Sequence, residues 1–240
     1  MISQNEIDIL THSLPFWDKL TDLQKELLIS SANTSHYKKG NPVHCGDSDC
    51  IGILIIKSGT VRTYILSDEG REVTLFRLDD GDVCILSASC ILKTITFDVY
   101  VDAETDCDII QISSSVFAKL STENIHAELF SYKLATERFS DVMWAMQQIL
   151  FMSFDKRLAS FLIDEIAKNG SSTINMTHEQ IAKYMGSARE VVSRMLKYFA
   201  REGIVSLSRG GIKVLDKDKL RSLTLYLIIS CLITSCLIIK

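Results

Sequence analysis

The chain has 240 residues, 47% of them apolar, which is enough for two modest domains with separate cores. Its formal net charge of −4 excludes a uniformly basic nucleic-acid-binding chain, and the polar, acidic stretch 1–14 is not the pattern of a secretory signal. The charge is divided, however. Residues 1–152 carry 12 Lys and Arg against 22 Asp and Glu, whereas residues 153–221 carry 13 against 8. A basic module fused to an acidic one is the footprint of a chain in which one part alone lies beside phosphates and gains from counterion release.

In chain order, residues 36–112 read as a small all-β domain. Short apolar runs recur at 51–56, 61–66, 73–78 and 99–101, punctuated by turns at Gly40, Gly46, Gly52, Gly59, Gly70 and Gly81. Asp68-Glu69-Gly70-Arg71 reads as a hairpin tip between two of these strands. Many short strands with regular glycine turns suggest a jelly-roll-like β-barrel. The domain holds five cysteines: Cys45, Cys50, Cys84, Cys90 and Cys107. No C-x-x-C pair occurs, which argues against zinc and thioredoxin-like chemistry, and no H-x-H occurs, which argues against a cupin-type metalloenzyme. The residue pattern leaves two readings of the cysteines open, as small buried hydrophobes or as a thiol or metal sensor, with Cys84 and Cys90 the candidates. No metal site is expected.

From about residue 123 to 151 there is neither proline nor glycine, and Phe130, Leu134, Val142, Met146, Ile149 and Leu150 recur at roughly helical spacing. A helix of about 28 residues would be about 40 Å long. On a lone chain it would expose too much apolar surface, so a two-fold coiled-coil dimer is expected, with packing on the barrel as the competing role for the same stripe. Ser153 reads as the cap of a further helix ending at Asn169-Gly170, and the hinge between domains falls at residues 153–154.

Residues 177–201, T-H-E-Q-I-A-K-Y-M-G-S-A-R-E-V-V-S-R-M-L-K-Y-F-A-R, read as two short helices pivoting on Gly186. Thr177 with Gln180 fits a capping box, and Ser187 with Glu190 fits a second. In the second helix Val192, Met195, Leu196 and Phe199 follow the i, i+3, i+4, i+7 rule and form the buried stripe. Arg189, Glu190, Ser193, Arg194, Lys197 and Arg201 lie off it. Arginine can bond guanine O6 and N7 bidentately and glutamate can accept from cytosine N4, while Ser193 and Lys197 suit phosphate oxygens. This is the layout of a DNA-reading helix-turn-helix. For Glu190, two blander roles stay open: a cap, or an i, i+4 partner of Arg194.

Residues 203–215 read as a two-stranded wing turning at Arg209-Gly210-Gly211, with Arg209 a candidate phosphate contact. Residues 223–239 then run seventeen long without a charge, the lower limit for a membrane-spanning helix. A membrane tether, a helix docked on a dimer, and a non-native extension all remain open for this tail. A tether would leave the DNA-binding side facing the cytoplasm, given Lys217, Lys219 and Arg221 before it.

R-E-V-V-S-R at 189–194, with I-x-x-G-x-V-R at 56–62 and L-x-x-G-D at 78–82, resembles the superfamily of the cyclic-AMP receptor protein and the fumarate-nitrate regulator. The resemblance covers nearly everything from residue 12 to 221. It implies an α+β chain: a β-barrel sensor over 1–122, a dimerisation helix over 123–152 and a winged helix-turn-helix over 153–222, followed by the tail 223–240. It implies a cytoplasmic, non-enzymatic transcription regulator that binds double-stranded DNA as a homodimer, works with RNA polymerase, and answers to a small-molecule or redox effector. It further implies that Arg189, Glu190 and Arg194 touch base edges, with Ser193 used in some branches, and that Thr177 and Glu179 lie near phosphates; Ser187 belongs to the same surface. Arg189-Glu190 matches one branch and Glu190-x-x-Ser193-Arg194 the other, so the half-site is not borrowed from either beyond a TGA-containing core.

Cyclic-nucleotide binders of this superfamily place an Arg-Ser or Arg-Thr pair where this chain has Phe97-Asp98. A carboxylate there repels a phosphate, so cyclic AMP is not the expected effector, and Phe97 and Asp98 join Cys84 and Cys90 as sensor candidates. Residues 1–44 contain no cysteine, so the N-terminal iron–sulfur arrangement of the fumarate-nitrate branch is absent.

Overall fold

Short strands dominate the first half of the chain and helices the second in the computed structural model of the protein, which describes residues 2–46, 51–85 and 98–224. Its contacts divide the chain into two units, residues 1–70 with 74–143, and residues 144–240 with 71–73.

The first unit opens with α1 (Gln4–Ser13) and α2 (Asp22–Ser31), then β1 (Ala32–Tyr37), β2 (Pro42–His44), β3 (Ile53–Ser58), β4 (Val61–Leu66), β5 (Glu72–Leu78), β6 (Val83–Cys84), β7 (Tyr100–Ala103) and β8 (Cys107–Ile112). The strands form two four-stranded sheets, ordered β1-β8-β3-β6 and β2-β7-β4-β5. The expected jelly-roll-like barrel thus takes the form of a two-sheet sandwich. Neighbours such as β1–β8, β3–β8 and β4–β7 run antiparallel.

Strand β3 shows why this half folds as it does. Ile53, Leu54, Ile55 and Ile56 are all at most 1% exposed. Successive strand residues point to opposite faces, so a run buried throughout must be covered on both sides. One core accordingly joins the strands to Leu10 and Leu14 of α1, Phe16, and Leu28 of α2. Both short motifs serve the turns beside β3. Gly59 has φ +90°, and a side chain there would run into the backbone of Asp106 and Cys107. In L-x-x-G-D, the Gly81 amide donates to the Ile56 carbonyl at 2.8 Å, and the Ile56 amide to the Asp82 carbonyl at 3.0 Å.

α3 (Ser114–Glu123) and the 27-residue α4 (Ile125–Phe151) follow. Asn124, not anticipated from sequence, separates them: its Oδ1 accepts from the His126 amide at 3.0 Å, capping α4. The apolar residues of α4 fall on two stripes rather than one. Ala127, Ser131 and Leu134 are buried, with Phe130, Ala135 and Val142 packed against the sandwich core. Ile125, Leu129, Tyr132, Phe139, Met143, Met146 and Leu150 remain 45–67% exposed.

The second unit holds α5 (Phe154–Asn169), β9 (Thr173–Ile174), α6 (His178–Met185), α7 (Arg189–Arg201), β10 (Val205–Ser208) and β11 (Gly211–Val214). Ser153 stands at the N-cap of α5 as expected, although its side chain makes no capping bond, and Gly170 closes the helix in the left-handed conformation. The wing has three strands rather than two, in the order β10-β11-β9, because the short segment Thr173–Ile174 pairs with β11. Leu158, Leu162, Ile181, Val192, Leu196, Phe199 and Ile212 form a second core. Leu223 packs against that core, and the rest of the apolar tail, from residue 225, lies outside the described residues. No helix of the described residues is long and apolar enough to cross a membrane.

Candidate nucleic-acid interface

α6 begins where its sequence signature places it. Thr177 Oγ1 accepts from the Gln180 amide at 3.1 Å, and Gln180 Oε1 accepts from the Thr177 amide at 2.8 Å, so both halves of the capping box form. The helix ends at Gly186, whose φ is +56°, and the Ser187 amide donates to the Ala182 carbonyl at 3.0 Å. That i→i−5 bond is the Schellman closure, which needs a left-handed residue just before its donor.

The same closure overturns the second capping box. Ser187 belongs to the end of α6, and Ala188 is the N-cap of α7 with no side-chain cap. The amides of Val191 and Val192 both donate to the Ala188 carbonyl instead. Glu190 is therefore not a cap, and it makes no ion pair with Arg194 among the described residues. Both bland roles for Glu190 fall.

What remains is an exposed polar face on a buried stripe. Val192, Leu196 and Phe199 are fully buried and Met195 partly so. Arg189, Glu190, Arg194 and Lys197 are exposed, and Ser187 and Ser193 are half-exposed. Arg189, Arg194 and Lys197 have no hydrogen-bond or ion-pair partner among the described residues. Arg201, by contrast, lies over the Tyr198 ring at 5.5 Å. Thr177 and Glu179 are exposed at the start of α6, and Arg209 is exposed at the β10–β11 turn. Thr177, Glu179 and Arg189 share one cleft of about 370 Å³ with His178 and the wing glycines Gly210 and Gly211. His178 escaped the sequence reading, although its place between two expected contacts was a signal. Burial, then the charges of Arg189 and Lys197, hold its imidazole below the ordinary histidine range.

The two described sensor candidates lie at different sheets. Cys84 is buried on β6 opposite Leu54, in one sheet, while Asp98 is exposed just before β7 of the other. Cys90 and Phe97 lie outside the described residues. Cys107 is buried, and burial, helped by Asp108 and Asp106, pushes its thiol up, away from the reactive thiolate. Cys45 is exposed. Among the described residues no group of three or more His, Cys, Asp and Glu side chains could hold a metal ion.

Comparison with known proteins decides the wider identity. Residues 156–223 match the Crp-like helix-turn-helix domain, and residues 34–124 match the cyclic nucleotide-binding domain. A crystal structure of a Crp/Fnr-family protein from Eubacterium rectale is 47% identical, with a TM-score of 0.86, over 88% of this chain and 98% of that one. The chain belongs to the Crp/Fnr family. The chain is also similar to the "Probable transcriptional regulator flp" of Lacticaseibacillus casei, 25% identical over 87% of this chain and 94% of its own. The cAMP-activated global transcriptional regulator Vfr of Pseudomonas aeruginosa is 24% identical over 78% of this chain and 90% of its own. The chain is thus a Crp/Fnr transcriptional regulator with a cyclic nucleotide-binding-like sandwich domain and a helix-turn-helix DNA-binding domain.

Cyclic AMP is named for the relative Vfr, and of the two residues expected to bear on it here, Phe97 and Asp98, the structure describes Asp98. Asp98 is exposed just before β7, and a carboxylate there repels a phosphate brought beside it. The buried cation of that sheet is already committed: Arg62 lies 4.1 Å over the Tyr64 ring and donates to Asp102 Oδ2 at 3.3 Å. Arg138 of α4 is likewise paired, with Asp141 at 2.8 Å.

Proposed function

We propose that this Crp/Fnr regulator binds a palindromic duplex as a homodimer, with α7 in the major groove of each half-site. Arg189, Glu190 and Arg194 read base edges. Thr177, Glu179, Ser187, Ser193, Lys197 and Arg209 face the sugar-phosphate backbone or line the approach to it. The observation that carries this reading is the set of exposed cations on α7 with no partner among the described residues. Cations clustered along one exposed helix face are the electrostatic footprint of a nucleic-acid interface.

The exposed stripe of α4 supports dimerisation. Ile125, Leu129, Tyr132, Thr136, Phe139, Met143, Met146 and Leu150 alternate by four and three residues, the a/d seam of a left-handed coiled coil. Two recognition helices related by that two-fold axis would meet half-sites about 34 Å apart on one face of the DNA. A small-molecule or redox effector in the sandwich, not a cyclic nucleotide, would act by shifting α4 and so the spacing of the two α7 helices. In this reading the division into a sensor over 1–122, a dimer helix over 123–152 and a DNA-binding domain over 153–222 is functional. The protein acts in the cytoplasm by binding DNA and RNA polymerase rather than by catalysis.

The test is substitution on α7. Arg189→Ala and Arg194→Ala each cost about 1–3 kcal/mol of sequence-specific binding, with a smaller effect on binding to random duplex. Unchanged discrimination by both variants contradicts the assignment.

A further inference from the structure

His178 is the first residue of α6, half-buried in the cleft between α6, α7 and the wing. The charged groups around it can be named element by element. From α7, Arg189 lines the same cleft, and the charges of both Arg189 and Lys197 reach the imidazole. From its own helix comes Glu179, and from the wing Ser208, Gly210, Gly211 and Ile212, which carry no charge. Two cations therefore face the ring against one carboxylate. Burial first, and then these two cations, hold its imidazole below the ordinary histidine range and favour the neutral ring.

A neutral imidazole among cations is poised to change state when an anion arrives. A phosphate in the cleft would offset Arg189 and Lys197 and accept a charge-assisted hydrogen bond from the imidazolium. Base edges carry no full charge and would not shift the equilibrium in this way. We propose that His178 is a further DNA contact, gripping a backbone phosphate as the imidazolium, so that duplex binding takes up a proton and tightens as pH falls. The proposal rests on α6 and α7 being the DNA interface.

The sign follows from linkage. If the complex holds more protons at His178 than the free protein, affinity rises as pH falls, by at most about tenfold per pH unit for each histidine. Residues 144–240 hold no other histidine; the remaining four are His12, His36, His44 and His126. A change of slope on replacing His178 is thus assignable to it.

The experiment is fluorescence anisotropy with the full-length protein and a labelled random-sequence duplex at constant low ionic strength, because phosphate contacts do not depend on sequence. Wild type, His178→Gln and His178→Lys are compared between about pH 7.5 and about pH 6, the window of histidine titration. Wild type is expected to gain about threefold to tenfold more affinity over that window than the Gln variant. The Lys variant, cationic throughout, binds as tightly at the upper pH as wild type does at the lower. Equal slopes in wild type and both variants overturn the role of His178 and leave the DNA interface standing. Absence of duplex binding by wild type at every pH overturns both.

Discussion

Arg157 of α5 donates through Nη1 to the main-chain carbonyl of Met185, across 3.0 Å, and so fastens α5 to the last turn of α6. Met185 immediately precedes the Gly186 turn, which sets the angle between α6 and α7. The guanidinium also lies 5.4 Å over the Phe154 ring. Arg157→Ala removes a charge-assisted bond to a carbonyl at a helix end and costs about 1–3 kcal/mol of stability. Calorimetry reads this as a lowered melting temperature, and DNA affinity falls with it because the turn is less well held. A variant as stable as wild type would mean that the bond contributes nothing.

Glu6 ties α1 to the sandwich. Its Oε2 accepts from the Ser3 amide at 2.7 Å and the Ser3 hydroxyl at 2.9 Å, and its Oε1 from Thr34 Oγ1 and Lys57 Nζ, each at 2.9 Å. The Ser3 amide and then Lys57 lower the carboxyl from 4.5 to about 2. A folded-state value below the unfolded one means stability that is present above about pH 4.5 and lost as pH falls toward about 2. Glu6→Gln costs about 1–3 kcal/mol at neutral pH and flattens the acid limb of the stability profile. Urea titrations at several pH values check both; parallel acid limbs would contradict the assignment.

The exposed seam of α4 predicts a partner. Phe139 is 64% exposed at the middle of the four-three repeat. Phe139→Asp places a charge in the seam and is expected to yield a monomer in sedimentation velocity, with wild type a dimer. Val142, on the opposite stripe, packs on the sandwich core, so Val142→Ala should lower stability by about 0.5–2 kcal/mol and leave the mass unchanged.

Cysteine accessibility discriminates between buried packing and redox sensing at the described positions. Cys84 and Cys107 are buried and Cys45 is exposed. Brief alkylation of native protein followed by mass spectrometry should label Cys45 and spare Cys84 and Cys107. Rapid labelling of Cys84 would reopen it as a sensor thiol.

Much of this architecture is written in local chemistry. Thr177 with Gln180 signals a helix start because both groups needed for the reciprocal bonds lie three residues apart, and no distant residue enters. Ser187 with Glu190 carries the same signature and fails, since the Ser187 amide is spent closing α6 over Gly186. The helix of α4 is legible as a proline- and glycine-free run, yet its two apolar stripes are not. Which residues meet the sandwich depends on long-range packing that periodicity does not encode, and the exposed seam emerges once Phe130, Leu134 and Val142 are placed against the core. Strand β9 is two residues long, too short for any alternation to show. His178 was hidden because a histidine's role depends on neighbours distant in sequence, here Arg189 and Lys197.

The central claim is that α7 reads DNA from a two-fold symmetric dimer, and in-vitro selection from a random duplex library tests it most directly. Purified full-length protein should enrich an inverted repeat whose half-sites lie one helical turn apart, about 34 Å, and the Arg189→Ala, Arg194→Ala double variant should lose that enrichment. Recovery of no preferred sequence by wild type at low salt, under both reducing and oxidising conditions, would contradict it.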